Sequence, residues 1–211
     1  MRRGRFITLE GGEGTGKSTQ ALILAERLRG RGLEVVTTRE PGGSPGAEQL
    51  RALLLQGEAE RWSPVTETLL MYAARADHLE RLIRPALERG DWVVCDRFFD
   101  STRAYQGMAG GAPEALLYDL EREVVRKDRP DLTLVLDLPA DQGLARAAGR
   151  NLFDRFEAMD RGFHERLRQG FLAIAKAEPQ RCVVVDASGG VETVAEAVWM
   201  AVEGRLMAQA G

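Results

Sequence analysis

Five short apolar runs punctuate the chain, at 6–10, 35–39, 92–95, 132–138 and 182–186. Each is too short for a stable helix and is bounded by glycine, proline or charged residues, which predicts strands, the first of them buried. The segments between them carry helical spacing. Over 18–29, the apolar Ala21, Leu22, Leu24, Ala25 and Leu28 recur at i, i+3 and i+4, and Gly30 and Gly32 then stop the pattern. Further helices are predicted at 47–55, 64–88 (carrying Pro85), around 100–108, 113–126, 141–148, 156–177 and 191–207. Strands alternating with helices predict an α/β fold, a five-stranded parallel sheet covered on both faces. Its ligands should lie at the carboxyl ends of the strands. No linker or repeat divides the 211 residues, so the expectation is a single domain over 1–211.

Composition narrows the picture. The chain is 44% hydrophobic and 29% charged, enough for a packed core with a solvated surface. Its 29 Lys and Arg stand against 32 Asp and Glu, a net charge of −3 without the basic excess of a nucleic-acid binder. The apolar run 197–202 is six residues long, far below the ~20 of a membrane span. The basic start, residues 1–5, precedes an apolar stretch that ends at Glu10, too short for a signal peptide's core of ~7–15 residues. The expected setting is the cytoplasm, with no membrane and no nucleic acid as partner. Cys95 and Cys182 lie in strand-like runs and read as buried thiols.

The chemistry begins after the first strand. Gly11-Gly12-Glu13-Gly14-Thr15-Gly16-Lys17-Ser18 fits G-x-x-x-x-G-K-[ST], between a strand and a helix as that motif requires. Its glycines let backbone N–H groups face phosphate oxygens, and the following helix adds the positive end of its dipole. Lys17, one of three lysines in the chain, would meet the β- and γ-phosphates, and Ser18 would ligate Mg²⁺. A GTPase needs N-K-x-D, but Leu152 follows the only asparagine, Asn151. A small-metabolite kinase remains, with a second anion site and a closing cover. Asp96-Arg97 ends the third strand, where Arg97 could fork onto an acceptor phosphate and Asp96 could support Mg²⁺. Arg39-Glu40-Pro41-Gly42-Gly43 follows the second strand, and Arg51 lies on the next helix.

Taken together, Leu9 to Thr19, Thr38-Arg39-Glu40-Pro41-Gly42-Gly43, Asp96-Arg97-Phe98 with Ser101, Ala104-Tyr105-Gln106-Gly107 and Asp154-Arg155-Phe156-Glu157 resemble the thymidylate kinase family, from residue 5 to about 200. The resemblance implies a P-loop nucleoside monophosphate kinase-like fold. It implies transfer of the γ-phosphoryl of ATP to dTMP with Mg²⁺, in dTTP synthesis, by a homodimer. ATP would lie on Gly11, Gly12, Glu13, Gly14, Thr15, Gly16, Lys17, Ser18 and Thr19, with Ser18 and Asp96 at the metal. Arg97 resembles the arginine that holds the dTMP phosphate, with Arg39 and Arg51 beside it and Glu40 and Pro41 in the same loop. Arg75 resembles the donor to a thymine carbonyl, Thr102 and Gln106 the contacts to the base edge, and Tyr105 the ring under the deoxyribose. Glu13 resembles the loop carboxylate that reaches toward the acceptor sugar and the metal. Where many members stack an aromatic ring on thymine, this chain has Met71, with Tyr72 next to it; where Thr often follows the paired glycines, it has Ser44.

A cover is expected over about 143–157. One branch of the family carries a catalytic arginine inside the phosphate loop; the other, mostly bacterial, has glycine there and supplies arginines from the cover. Gly14 resembles the second branch, with Arg150 as the first candidate and Arg146 as the second. A phosphate acceptor needs no general base, so catalysis reduces to alignment and charge stabilisation. Two rival readings stand beside this one. A deoxynucleoside kinase would need a carboxylate base after the first or second strand, for which Glu40 could be mistaken. A nucleotide-dependent switch would need neither Arg97 nor a cover.

Overall fold

A computed structural model describes residues 3–58, 61–148, 156 and 159–207. Five parallel strands, β1 (Phe6–Glu10), β2 (Val35–Arg39), β3 (Trp92–Asp96), β4 (Leu132–Asp137) and β5 (Cys182–Asp186), form one sheet in the order β2-β3-β1-β4-β5. They fall on the runs expected from the sequence to within a residue. The chain leaves the central β1 toward β2 on one side and later returns to β4 on the other. The crevice for a ligand therefore opens beyond the end of β1, where the order reverses.

The side-chain period of two decides what each face of β1 does. Ile7 and Leu9 point into a core closed by α1 (Lys17–Gly30) and α9 (Val191–Val202), with Leu24, Leu28, Val198 and Val202. Phe6, Thr8 and Glu10 point the other way. Phe6 packs edge-on against Phe98, with ring centroids 4.9 Å apart, and Phe98 against Phe99 at 5.5 Å. Thr8 shares a hydrogen bond of 2.9 Å with Thr133.

The remaining helices are α2 (Pro45–Leu55), α3 (Pro64–His78), α4 (Arg84–Arg89), α5 (Phe99–Thr102), α6 (Glu114–Val124), α7 (Ala140–Ala147) and α8 (Arg161–Ala177). The long helix expected over 64–88 is one rod whose turn widens to π geometry over Leu79–Ile83 before α4 carries it to Arg89. Pro85 explains the change: it has no N–H for a carbonyl one turn back, and a wider turn accommodates the gap. A second π stretch, Arg103–Ala109, follows α5, and a third, Glu203–Met207, follows α9. Helix α8 starts at Arg161 rather than at the expected 156. The Asp160 carboxylate caps it by accepting the Phe163 N–H at 2.7 Å.

Below the sheet, Arg103, Arg129 and Arg181 converge on Glu178. Arg103 Nη1 donates at 2.5 Å, Arg181 Nε at 2.7 Å and Arg129 Nη1 at 3.1 Å. Burial works against a charge on Glu178, but hydrogen bonds from Arg181 and Arg103 outweigh it and lower its pKa from 4.5 to about 2. Folding then favours the ionised form. This stabilisation is whole above pH ~4.5 and fades as pH falls toward 2. Melting curves of wild type and Glu178→Gln should show a Tm gap that is constant from pH 7 to about 5 and narrows below that. A gap independent of pH from 7 down to 3 would contradict the assignment.

Candidate active site

The turn after β1 is built for close backbone approach. Gly11 has φ 138°, and a Cβ there would stand 2.5 Å from the Leu136 carbonyl oxygen; Gly14 has φ 67°, and its Cβ would meet the Gly143 oxygen at 2.0 Å. Gly143 mirrors this, with a virtual Cβ 2.4 Å from the Glu13 oxygen. The phosphate loop therefore lies backbone to backbone on α7, with no room for an arginine at position 14. Gly16, also at positive φ, caps α1, and Ser18 and Thr19 stand exposed in its first turn. The Lys17 Nζ is buried and curls back onto the loop, donating to Gly12 O at 2.6 Å and Thr15 Oγ1 at 3.2 Å. Burial, helped by the Arg97 charge, lowers its pKa to about 8.

Ser18 Oγ donates to Asp96 Oδ2, so the hydroxyl and the carboxylate lie together at the mouth of the cleft. Two oxygen ligands supplied by protein, with phosphate and water oxygens completing the shell, suit Mg²⁺ and not a softer metal. Among the described residues no cluster of three or more His, Cys, Asp or Glu side chains could hold a metal alone.

Arg97 occupies the left-handed region, φ 68°, an uncommon conformation for arginine. Buried Glu10, at the end of β1, holds the turn: its Oε1 accepts Phe98 N–H at 2.7 Å and its Oε2 accepts Ser101 Oγ at 2.6 Å. Burial, reinforced by the Asp100 charge, raises the Glu10 pKa to about 8. Arg97 Nη1 donates to Gly11 O at 3.0 Å and Ser101 Oγ at 3.2 Å, and its Nη2 to Glu13 Oε1 at 2.8 Å and Tyr105 Oη at 2.8 Å. Tyr105 also donates to Glu13. Burial opposes ionisation of Glu13, but Arg97, Lys17 and the Tyr105 hydroxyl bring its pKa to about 2. Glu13, Lys17, Arg97 and Tyr105 thus meet in one cleft, with Ser18 and Asp96 at its edge.

The far end of that cleft is where α3 and the π stretch after α5 face each other. Arg75 is almost wholly buried, sandwiched between the rings of Tyr72 and Phe98, 4.7 and 5.2 Å from their centroids. Its Nε donates to Glu40 Oε2 at 2.8 Å and its Nη2 to Thr102 Oγ1 at 3.0 Å, while the buried Nη1 has no partner. Gln106 is the complement. Its Nε2 donates to the Glu67 carboxylate at 2.6 Å, which fixes the amide orientation and leaves the buried Oε1 without a partner. Arg75 and Gln106, each with one buried atom unsatisfied among the described residues, line the same cavity, with Met71 in its wall; Tyr72 is in the core under Arg75. Met71 is accordingly the residue at the expected stacking position, and Tyr72 does not replace it.

Arg39, Pro41 and Arg51 also line the cleft. Arg39 is exposed, and its Nη2 donates to both Glu48 oxygens, at 3.1 and 3.2 Å. Arg51 Nη1 donates to Pro41 O at 2.6 Å and ties α2 to the loop after β2. Arg146, in the last turn of α7, donates to the carbonyls of Ala187 and Ser188 at 2.9 and 3.0 Å, so it braces the loop after β5. Arg150 falls outside the described residues, as do Asp154, Arg155 and Glu157. Sequence reading missed roles for Glu10, Ser101 and His78. The available hint was a charged residue ending an otherwise apolar strand and a histidine three residues beyond Arg75.

A family model described as thymidylate kinase matches residues 9–198. A thymidylate kinase of Caulobacter vibrioides is 59% identical over 198 residues, covering 94% of this chain and 95% of that protein. One from Nitrobacter hamburgensis is 54% identical over 210 residues, covering 98% and 91%. The solved structure of an Ehrlichia chaffeensis thymidylate kinase superposes with a TM-score of 0.79 at 33% identity, covering 95% of this chain and 99% of that one.

Proposed function

The chain belongs to the thymidylate kinase family, and from that membership we propose that it phosphorylates dTMP to dTDP with the γ-phosphoryl of ATP and Mg²⁺, for dTTP synthesis. The observation that carries the base assignment is the pair of unsatisfied buried atoms. Arg75 Nη1 is a donor and Gln106 Oε1 an acceptor, the complement of a thymine's O4 and N3–H. Cytosine presents the reverse pair.

The ATP phosphates would lie on the loop 11–18, held by its N–H groups and Lys17. Arg97, now bonded to Glu13 and Tyr105, would turn its two Nη groups to the dTMP phosphate, with Arg39 and Arg51 adding charge nearby. Tyr105 would lie under the deoxyribose, where it leaves little room for a 2′-hydroxyl. Ser18 and Asp96 would hold Mg²⁺, which offsets charge on the transferring group. The acceptor oxygen is already anionic, so these residues orient and neutralise without removing a proton. Segment 143–157 would act as the cover of a single domain, with Arg150 the arginine aimed at the reacting phosphate. Arg146 serves the loop after β5 in this state. Closure would keep water from the phosphoryl group.

Glu40 is not placed to serve as the base of a deoxynucleoside kinase. Both Glu40 oxygens are occupied, by Arg75 and His78, and the carboxylate is buried. No helix among the described residues is long and apolar enough to cross a membrane, and we place the enzyme in the cytoplasm. A homodimer is the proposed assembly. Its support is exposed apolar surface on neighbouring helices, Leu53 of α2, Val65 and Leu69 of α3 and Tyr118 of α6.

The test is a panel of monophosphates assayed by ADP release. The expected order is dTMP, then dUMP lower by ~10- to 100-fold for one methyl, then dCMP far lower. The panel includes dGMP, whose O6 and N1–H offer the same edge on a larger base. Arg75→Ala should lower activity on dTMP and dUMP together and leave their ratio intact. A wild-type preference for dCMP, dAMP or dGMP would overturn the assignment.

A further inference from the structure

Glu40 and His78 are both buried, and the reaction as described uses neither directly. His78 is wholly inaccessible at the end of α3, one helical turn from Arg75. Its Nδ1 lies 3.0 Å from Glu40 Oε1, and its Nε2 lies 2.8 Å from Thr38 Oγ1. An ionised Glu40 can only accept, so Nδ1 carries the proton and Nε2 accepts from the Thr38 hydroxyl. The other Glu40 oxygen accepts the Arg75 Nε–H. The loop after β2 closes on this group: a Cβ on Gly43 would stand 2.4 Å from both His78 Nε2 and Thr38 Oγ1. Arg75 is thereby fixed at three points. Glu40 holds Nε, Thr102 holds Nη2, and the Tyr72 and Phe98 rings hold the guanidinium plane. Only Nη1, buried beside the cavity, has no partner among the described residues.

We propose that Glu40 and His78 are a positioning pair for base selectivity: His78 fixes the Glu40 carboxylate, and Glu40 fixes the guanidinium so that Nη1 meets the nucleobase edge. His78 is sealed off from the cavity, and Glu40, at its wall, acts through Arg75. The proposal rests on Arg75 as the base-reading residue. A planar fork discriminates a carbonyl from an amino group only while its plane and rotation are held. Releasing the Nε anchor lets the guanidinium tilt, and the penalty for a cytosine amino group falls with the reward for a thymine carbonyl.

Two similar substitutions separate the halves of the histidine. In His78→Asn the amide nitrogen stands near the former Nδ1 and can still donate to Glu40, while the Thr38 link is lost. In His78→Gln the amide reaches the Thr38 side, and Glu40 loses its second donor. His78→Gln should raise the KM for dTMP about 10-fold or more and reduce the dTMP-to-dCMP ratio of kcat/KM by a similar factor, as for a lost hydrogen bond to a charged group. The change in kcat should be under about threefold, and the KM for ATP and the dTMP-to-dUMP ratio should hold. His78→Asn should keep most of the selectivity. Glu40→Asp, too short to reach Arg75 and His78 together, gives a second route to the same loss should His78→Gln not fold. Equal effects of His78→Asn and His78→Gln, a larger effect of His78→Asn, or unchanged selectivity in Glu40→Asp would overturn the pair. If Arg75→Ala itself leaves dTMP turnover unchanged, the base-reading role of Arg75 has failed instead.

Discussion

Lys17→Ala is expected to reduce turnover by at least ~10²-fold, the usual cost of removing one preorganised donor from developing charge, while melting within a few degrees of wild type. The Nζ is buried, yet among the described residues its hydrogen-bond partners are Gly12 O and Thr15 Oγ1, with no carboxylate in a direct ion pair. Removing it takes one cation from Glu13 but leaves the Arg97–Glu13 ion pair, and the loop is shaped by its glycines, not by the lysine. Turnover should stay low at saturating ATP, because the lost contact strengthens as charge develops on the β- and γ-phosphates. Near-normal kcat would remove the triphosphate from this loop. A collapse in Tm would show that the lysine is structural.

Arg97→Ala should act on the other substrate. A bidentate contact to a phosphate contributes about 1.5–3 kcal/mol, so the KM for dTMP should rise at least ~10-fold, with a smaller change for ATP. The resting structure adds a complication. Arg97 also neutralises Glu13 and bonds Ser101 and Tyr105, and its backbone stands at φ 68°. Arg97→Gly, which fits that backbone without a side-chain penalty, should show the same KM effect. Agreement between the two variants assigns the loss to the guanidinium. A rise in the ATP KM with an unmoved dTMP KM would contradict the acceptor-phosphate role.

Strands proved easy to read because each is a short apolar run with a sharp polar end, and β1, β2 and β5 have the expected bounds. Helix ends were harder. The start of α8 depends on a cap at Asp160, and the apolar pattern reaches back past it to Phe156. The π turns at Leu79–Ile83 and Arg103–Ala109 insert a register shift that a period of 3.6 does not describe. Arg75, Thr102, Tyr105 and Gln106 were named from motif resemblance. Which of their atoms are already occupied is a property of the fold alone. The same holds for Glu40: its place after β2 suggests a substrate contact or a base, whereas both oxygens are occupied by α3, thirty-five and thirty-eight residues away. Arg146 likewise looks like an arginine of the cover until the sheet brings the loop after β5 beside it. Glu10 stands out as a charged residue ending an apolar strand, but its partners Phe98 and Ser101 are brought to it only by the pairing of β1 with β3.

The most direct measurement supplies the protein with ATP labelled at the γ-phosphorus, Mg²⁺ and either dTMP or thymidine, and identifies the labelled product. The predicted result is label in dTDP, attached to the existing phosphate of dTMP, and none on thymidine. Label on the thymidine hydroxyl, or ATP hydrolysis with no labelled nucleotide in either case, would contradict it.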